Sequence, residues 1–270
     1  AELADTVEAY MAEITEAVAM SDEALMEKFF EGEAFTDVEI AKGVRYGIRH
    51  GEIHPVYCGS AVNMTGIERL MDLVVEYMPS YAEKGVVEAT DTNGEPVMLE
   101  TSESEATTAF VFKTIVDPFA GRISLIKVMT GVVSTDAQLV NVQKDKVEKM
   151  NQTYIIKGKN QVGVGKLFTG DIGAVIKLQY TETNDTLAAK GTTVTYPAIE
   201  FPRGMLGMAI WPKTRADEDK MSQSLQRITE EDKSVFIEIN RETKETVVYG
   251  LGDQHLDVIK NKLKTKYKVE

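Results

Sequence analysis

Residues 54–80 of the chain, HPVYCGSAVNMTGIERLMDLVVEYMPS, decide how its first part folds. An apolar run enters a turn of small residues at 59–61, and a sequence with helical periodicity follows. Pro79 ends this helix, because proline cannot continue the hydrogen-bond pattern. The apolar face of the predicted helix carries Leu70, Leu73, Val74 and Tyr77. The order strand, tight loop, helix is typical of a ligand loop in an α/β domain.

Two capping patterns predict where helices begin in the first 80 residues. The sequence TDVE predicts a capping box of Thr36 and Glu39, and TGIE predicts a second box of Thr65 and Glu68. Segment 53–59 is the one clear strand signal among these helices. A lone strand has no partner, so either another part of the chain supplies the sheet or these residues end a larger domain.

Composition limits the functions open to the chain. It has 270 residues, 43% of them hydrophobic, and a net charge of −13. The length predicts about two domains, and the acidic surface disfavours general coating of nucleic acid, so such contacts require local basic patches. Cys58 is the only cysteine, which fits a reducing compartment, and its apolar neighbours predict a buried thiol. No apolar window suggests a membrane span, and we expect a cytoplasmic protein.

The remaining chain changes character twice. Residues 81–104 are polar and turn-rich and predict a linker. Residues 105–201 contain short strand signals at close spacing, which predict an antiparallel β-barrel. Residues 202–270 follow the order β-α-β-β-α, with a hairpin around Arg241 to Lys244, and predict a split βαβ domain of the ferredoxin-like type whose fourth strand is missing. The helix faces predicted for this domain carry Met221, Leu225 and Ile228, and Leu256, Ile259 and Leu263.

No catalytic or metal-binding constellation emerges from the sequence. The phosphate-loop pattern GxxxxGK[ST], GxGxxG, HExxH and CxxC are all missing from residues 1–270. The three histidines, His50, His54 and His255, have no metal-ligand spacing. Ser60 has no histidine near it in sequence to activate it as a nucleophile. We therefore predict no catalytic residue and no metal site in this chain.

Several longer stretches resemble one family of translation factors. PVYCGSAVNMTGIERLMDLVVEYMPS resembles the last nucleotide-binding loop and closing helix of elongation factor G, a translational GTPase. EALMEKFFEGEAFTDVEIAKGVRYGIRHGEI resembles that family's insert subdomain. TGVVSTDAQLVNV, FTGDIGAVIKL and TNDTLA are similar to its second domain, and PKTRADEDKMSQSLQRITEED and GLGDQHLDVIKNKLKTKYKVE to its third. The resemblance extends over essentially the whole chain in the family's order.

The resemblance implies a multi-domain fold that combines α/β, all-β and α+β parts. Residues 1–80 would be the C-terminal part of a P-loop GTPase domain with its insert, 81–104 a linker, 105–201 the β-barrel of domain II and 202–270 the ferredoxin-like domain III. In the family, Ser60 and Ala61 would contact the guanine base of GTP or GDP, with Gly59 allowing the turn. The phosphate loop, magnesium ligands, switch regions and Asn-Lys-x-Asp motif would precede residue 1. We therefore expect this fragment alone to hold no nucleotide and to be inactive.

The resemblance also implies partners. The parent would couple GTP hydrolysis to movement of tRNA and mRNA, and the fragment would contact the RNA and proteins of the small ribosomal subunit, the rest of the G domain and the C-terminal domains of the parent, but no membrane. The residues expected to contact the ribosome are Lys157, Lys159, Lys213, Arg215 and His255.

The chain departs from the family pattern in a few places. Asp253 and Gln254 replace glutamate and leucine in the motif around His255, and Asn184 stands where glycine is usual. Asparagine tolerates a left-handed turn, so the last change is mild. These departures favour a divergent copy over the housekeeping form.

Two other interpretations remain open at this point. A ribosomal protection protein of the tetracycline-resistance type shares the family architecture, although the insert subdomain argues against it. A stand-alone RNA-binding module is possible because the split βαβ fold hosts such modules, but their aromatic stacking motif is not visible in VFIEIN.

Overall fold

The computed structural model describes residues 3–117, 121–240, 242–243 and 245–270. Arg241 and Lys244, at the predicted hairpin turn, lie outside them. The chain forms two compact units, Ala1–Glu83 and Lys84–Glu270. The four-part division predicted from the sequence stays a prediction. No helix in the described ranges is long and apolar enough to cross a membrane.

The first unit is helical. Its helices are α1 (Ala4–Ala19), α2 (Glu23–Phe30), α3 (Asp37–His50) and α4 (Ile67–Tyr77). The capping box predicted at Thr36 and Glu39 is confirmed, and Gly51 ends α3 in the left-handed conformation. Lys28 of α2 bonds the same Glu39 carboxylate at 2.9 Å and so ties α2 to the start of α3.

Segment 53–59 forms no strand, which corrects the sequence prediction. A strand requires a neighbour to accept its backbone hydrogen bonds, and no strand of the described chain pairs with this segment. Most of its residues are exposed, and Val56 is 89% accessible. Cys58 is also exposed, so the prediction of a buried thiol is wrong.

Residues 81–104 carry more structure than a linker. A hairpin of β1 (Val86–Thr90) and β2 (Pro96–Glu100) occupies this stretch. Val87 and Ala89 of β1 are buried against Val194 and Tyr196. The sequence signal for this hairpin is weak, because the alternation of a short strand is hidden among polar turn residues and pairing with a second strand is what stabilises it.

The β-barrel comprises an eight-stranded antiparallel sheet and a separate two-stranded ribbon. In chain order the strands are β3 (Thr108–Asp117), β4 (Gly121–Thr130), β5 (Val133–Ser134), β6 (Gln138–Asn141), β7 (Lys146–Lys149), β8 (Thr153–Lys157), β9 (Asn160–Val164), β10 (Lys166–Leu167), β11 (Ile172–Ile176) and β12 (Thr186–Ala188). The sheet order is β7-β6-β12-β3-β4-β11-β8-β9, and β5 pairs with β10.

One core joins both ends of this sheet. Leu139 of β6 and Ile155 of β8 lie near opposite ends of the strand order, yet both pack on the cluster around Ile126 and Met150. The sheet therefore wraps around its core, as a barrel requires. Asn184 has a φ of 79°, which confirms the left-handed turn expected there.

The last part of the chain has the split βαβ arrangement. Its elements are β13 (Leu206–Ile210), α5 (Glu218–Glu231), β14 (Phe236–Asn240), β15 (Glu245–Gly250) and α6 (Asp253–Thr265). The sheet order is β13-β15-β14 and all pairs are antiparallel. Both predicted helix faces are buried as expected, whereas Ile239 is 70% exposed on the edge strand β14.

Candidate functional site

The turn after segment 53–59 is a closed six-residue loop. The Ser60 N–H donates to the Thr65 carbonyl at 2.9 Å, and the Thr65 N–H donates back to the Ser60 carbonyl at 3.1 Å. Inside the loop, the Asn63 N–H donates to the Ser60 hydroxyl at 3.3 Å. The loop therefore closes on its own backbone before α4 begins.

Two glycines allow the loop to close. A Cβ atom on Gly59 would lie 2.9 Å from the Thr65 carbonyl oxygen, and one on Gly66 would lie 2.9 Å from the Cys58 carbonyl oxygen. Gly66 also has a φ of 80°, which residues with side chains rarely adopt. The two chain segments approach too closely at this point for any other residue.

The second capping box is a wrong prediction. α4 begins after Gly66, and no side chain caps it. Thr65 is instead engaged through its backbone with Ser60. The pattern TGIE satisfies the sequence rule, but the loop bridge holds Thr65 one residue before the capping position.

The loop offers a backbone donor rather than catalytic chemistry. Ala61 is exposed, and its N–H donates to no acceptor within the described ranges. The Ser60 hydroxyl accepts a hydrogen bond from the Asn63 N–H, and no histidine in the described part of the chain bonds it. No cluster of three or more acidic, histidine or cysteine side chains suited to a metal occurs among the described residues. Small side chains beside a free N–H suit contact with a flat ligand that carries a carbonyl oxygen.

Lys157 and Lys159 lie together at the tip of the β8–β9 hairpin. Lys157 pairs with Asn160 across a two-residue turn, in which Gly158 has a φ of 60° and Lys159 stays outside the left-handed region. This pattern is that of a type II′ turn. Both lysines are exposed and project from the barrel as a small basic patch.

Lys213 and Arg215 lie in the turn between β13 and α5. Both are exposed, and the Lys213 ammonium lies 3.6 Å from the Glu270 carboxylate. The Thr214 hydroxyl donates to Asp217 at 2.8 Å and fixes the turn. An exposed ion pair of this kind is weak, so both cations remain accessible.

His255 is less accessible than the other predicted residues. Its Nε2 lies 3.1 Å from the Asp232 carboxylate, and its Nδ1 accepts from the Leu251 N–H at 3.1 Å. Burial disfavours ionisation of Asp232, but hydrogen bonds from the Ser234 hydroxyl and amide and from His255 outweigh it and lower the pKa of that carboxyl. His255 therefore ties the start of α6 to the loop after α5.

Sequence reasoning missed the ion pairs that join the barrel to the last domain. Arg122 of β4 lies 3.0 Å from Glu230 of α5, and Lys233 lies 3.6 Å from Glu182 of the barrel. Burial disfavours ionisation of Glu182, but Lys144, Lys233 and Arg122 outweigh it and lower its pKa. Pairs so distant in sequence leave no local signal that could have identified them.

Comparisons with known proteins agree with this architecture. Residues 106–190 match the family model described as elongation factor G domain 2, and residues 201–270 match the model for elongation factor G, domain III. A crystal structure from Thermus thermophilus is similar with a TM-score of 0.83 at 27% identity, and the match covers 100% of this chain. This chain spans 38% of the length of that protein. The chain therefore belongs to the elongation factor G family, of which it carries domains II and III.

Proposed function

We propose that this chain is part of a ribosomal translocation GTPase of the elongation factor G type. The observation that carries the proposal is the adjacent match to that family's domains II and III, in family order. In the proposed parent, GTP binding and hydrolysis drive movement of tRNA and mRNA, and the residues described here supply docking and coupling surfaces. Cytoplasmic location follows from this role as part of the same proposal.

The β8–β9 hairpin is the proposed contact with small-subunit RNA. Lys157 and Lys159 lie at a two-residue turn and form a local positive patch on a protein of net charge −13. A phosphate backbone is attracted by such a patch, whereas the rest of the acidic surface repels it. Lys213 and Arg215 are a second proposed contact, on the other domain.

The loop at 59–66 is the proposed guanine contact of the parent. The free N–H of Ala61 can donate to the exocyclic oxygen of the base, while Gly59 and the Ser60–Thr65 bridge fix the loop. One such contact contributes little by itself, since nucleotide affinity in P-loop GTPases depends on the phosphate loop and magnesium. We therefore propose that the chain alone neither binds nor hydrolyses GTP. Micromolar affinity in a calorimetric titration of the 270-residue chain with Mg-GTP would contradict this.

The RNA-module alternative lacks a stacking platform. Phe236 and Tyr249 lie on the sheet of the last domain, but their rings stack on each other at 4.2 Å. Arg203 lies 4.9 Å from the Phe236 ring centre, and the Tyr249 ring covers Gly207. A base needs an exposed aromatic face, and these contacts occupy the faces of both rings.

Sedimentation with ribosomes tests the proposed docking. The chain should pellet with small subunits at low salt, and the double variant Lys157→Glu/Lys159→Glu should pellet at least about tenfold more weakly, because charge reversal repels RNA phosphates. Lys190→Glu reverses another exposed barrel lysine and is the matched control. Equal pelleting of the double variant and the control would overturn the proposed contact.

A further inference from the structure

A short connector joins the barrel to the last domain. On the barrel side the Tyr196 N–H donates to the Thr186 hydroxyl at 3.2 Å, and on the other side the Gly204 N–H donates to the loop after α5 at 3.2 Å. Residues 197–203, PAIEFPR, lie between these two anchors. Within the described part of the chain, this connector forms hydrogen bonds at one residue alone, Ile199.

Both of those hydrogen bonds come from the side chain of Asn184. The Ile199 N–H donates to the Asn184 Oδ1 at 3.0 Å, and the Asn184 Nδ2 donates to the Ile199 carbonyl at 3.1 Å. A side-chain amide carries a donor and an acceptor, so it pairs with the backbone of one residue as a neighbouring antiparallel strand would. We call this pair of hydrogen bonds the Asn184 clamp.

The barrel holds Asn184 in place. The Asn184 N–H donates to the Val111 carbonyl at 2.7 Å, and its carbonyl accepts from the Gln143 side chain at 3.2 Å. The next residue, Asp185, is 7% exposed and accepts from the Asn141 side chain at 2.8 Å. The base of the clamp is therefore tied to β3, to β6 and to the turn after β6.

The barrel also contacts the last domain through two ion pairs. Glu182, two residues before Asn184, lies 3.6 Å from Lys233, and Arg122 lies 3.0 Å from Glu230. The four side chains are 23–50% exposed, and ion pairs of this kind are individually weak and are screened by salt. The two hydrogen bonds of the clamp involve no charged group. The clamp therefore persists under conditions that open the ion pairs.

The clamp shortens the tether on which the last domain can move. The seven residues of the connector would span up to about 25 Å when fully extended, whereas the four residues 200–203 that follow the clamp span at most about 14 Å. Pro202 is one of those four, and its ring fixes its φ. With the clamp closed, only this shorter segment is left to act as a hinge.

We propose that Asn184 is an interdomain clamp, which limits how far the last domain swings from the barrel by confining the hinge to residues 200–203. Glycine, the residue usual at this position of the family pattern, would keep the left-handed turn but would form neither hydrogen bond. The clamp is thus a consequence of one departure from that pattern. It does not depend on the proposed ribosome contacts or on the loop at 59–66.

Amide hydrogen exchange at Ile199, measured by NMR, tests the clamp itself. In Asn184→Gly the Ile199 N–H loses its acceptor and should exchange about two- to tenfold faster. The matched control is Asp145→Gly, in the turn after β6, because Asp145 is exposed and has a φ of 50°. This control also places glycine at a left-handed position, and it should leave exchange at Ile199 unchanged.

The distance between two spin labels tests the effect on the last domain. Lys146 of the barrel and Lys264 of α6 are both exposed and are replaced by cysteine. Cys58 is the only native cysteine and is replaced by serine, so that labels attach at the two chosen positions alone. Double electron–electron resonance of the 270-residue chain then gives the width of the distance distribution.

The clamp should matter most when the ion pairs are absent. Glu230→Ala/Lys233→Ala removes both pairs between the barrel and the last domain. In this background Asn184→Gly should widen the distance distribution more than it does in the otherwise native chain, because the clamp and the ion pairs restrain the same motion. Asp145→Gly should leave the width unchanged in both backgrounds.

Each outcome decides the proposal. Faster exchange at Ile199, together with a wider distance distribution in the chain without the ion pairs, supports it. Unchanged exchange in Asn184→Gly shows that the clamp does not form in solution and overturns it. Faster exchange with unchanged widths shows a contact that is only local and overturns it. Equal widening by Asp145→Gly shows a general loosening of the barrel, which also overturns it.

Discussion

The helical first unit and the barrel bury their apolar residues very differently. Barrel residues such as Ile126, Val128 and Leu187 are fully buried in one continuous core. In the first unit α1 and α4 have clear apolar faces, yet Val7 is 57% and Val74 is 50% exposed. The barrel buries its apolar residues within its own core, whereas the first unit presents apolar surface of the kind that usually marks an interaction site.

This difference indicates which interactions stabilise each region. The barrel sheet wraps around one core, so its apolar residues are buried by other residues of the same region. The first unit depends more on local devices, such as the capping box at Thr36 and the Lys28–Glu39 pair. In the proposed parent, the exposed faces of this unit would pack on the remainder of the G domain.

Removing a barrel core side chain should have the largest effect. Ile126→Ala leaves a cavity in a closed core and should lower the free energy of unfolding by about 2–5 kcal/mol. Leu73→Ala, on the partly covered α4, should cost only about 1–2 kcal/mol, since water already reaches its neighbours. Hydrogen exchange of β4 and of α4, each measured in both variants, separates the two effects. An equal loss of unfolding free energy in the two variants would mean that the first unit buries its core as completely as the barrel does.

The ion pair between barrel and last domain should have a smaller effect. Arg122 and Glu230 are each about a quarter exposed, at 26% and 23%, so their coupling should be about 0.5–1 kcal/mol in a double-mutant cycle. The matched pair is Lys260–Asp257, which is 2.7 Å apart but about 70% exposed, and it should couple by about 0.3 kcal/mol or less. Urea unfolding of the single and double alanine variants measures both. If Arg122 and Glu230 couple no more strongly than the surface pair, then packing of α5 against the barrel, and not this ion pair, holds the two regions together.

Sequence patterns predicted best where a feature is local or periodic. The helical period identified Met221, Leu225 and Ile228 as buried, and the spacing of Thr36 and Glu39 identified their reciprocal hydrogen bonds. The family resemblance placed domain II before domain III, and the two family models match the chain in that order.

Predictions failed where the outcome depends on a partner distant in sequence. Segment 53–59 has the composition of a strand but no neighbouring strand in the described chain, so it forms no strand and Cys58 is exposed. Thr65 fits the capping pattern, but its backbone hydrogen bonds with Ser60 hold it one residue before the position that caps α4. For the candidate site, the sequence supplied the residues, but the closure of the loop and the unengaged Ala61 N–H required the structure.

Acid should weaken the α2–α3 connection through Glu39. Hydrogen bonds from the Thr36 amide, Lys28 and the Thr36 hydroxyl lower the pKa of Glu39 from 4.5 to about 2. Because the folded pKa is depressed, this stabilisation is complete above the unfolded value and is lost as pH falls from about 4.5 to about 2. Carboxyl NMR titration of the full chain measures that pKa directly, and loss of α3 helicity over the same range is the expected consequence.

Glu39→Gln should remove this acid-dependent step, while Glu33→Gln, an exposed acid between α2 and α3, should leave it in place. A Glu39 that titrates near 4.5 in the folded chain would show that the capping box does not persist in solution.

The smallest effect is expected on the exposed face of α4. Val74 is half exposed, and serine has a helix propensity similar to valine, so Val74→Ser should change the free energy of unfolding by less than about 0.5 kcal/mol. The measurement is urea unfolding, with sedimentation velocity at two protein concentrations. A loss above about 1 kcal/mol, or a fall in self-association on substitution, would mean that this face is covered in solution. The barrel would then bury its core within one region, whereas the first unit would complete its core by contact with another surface.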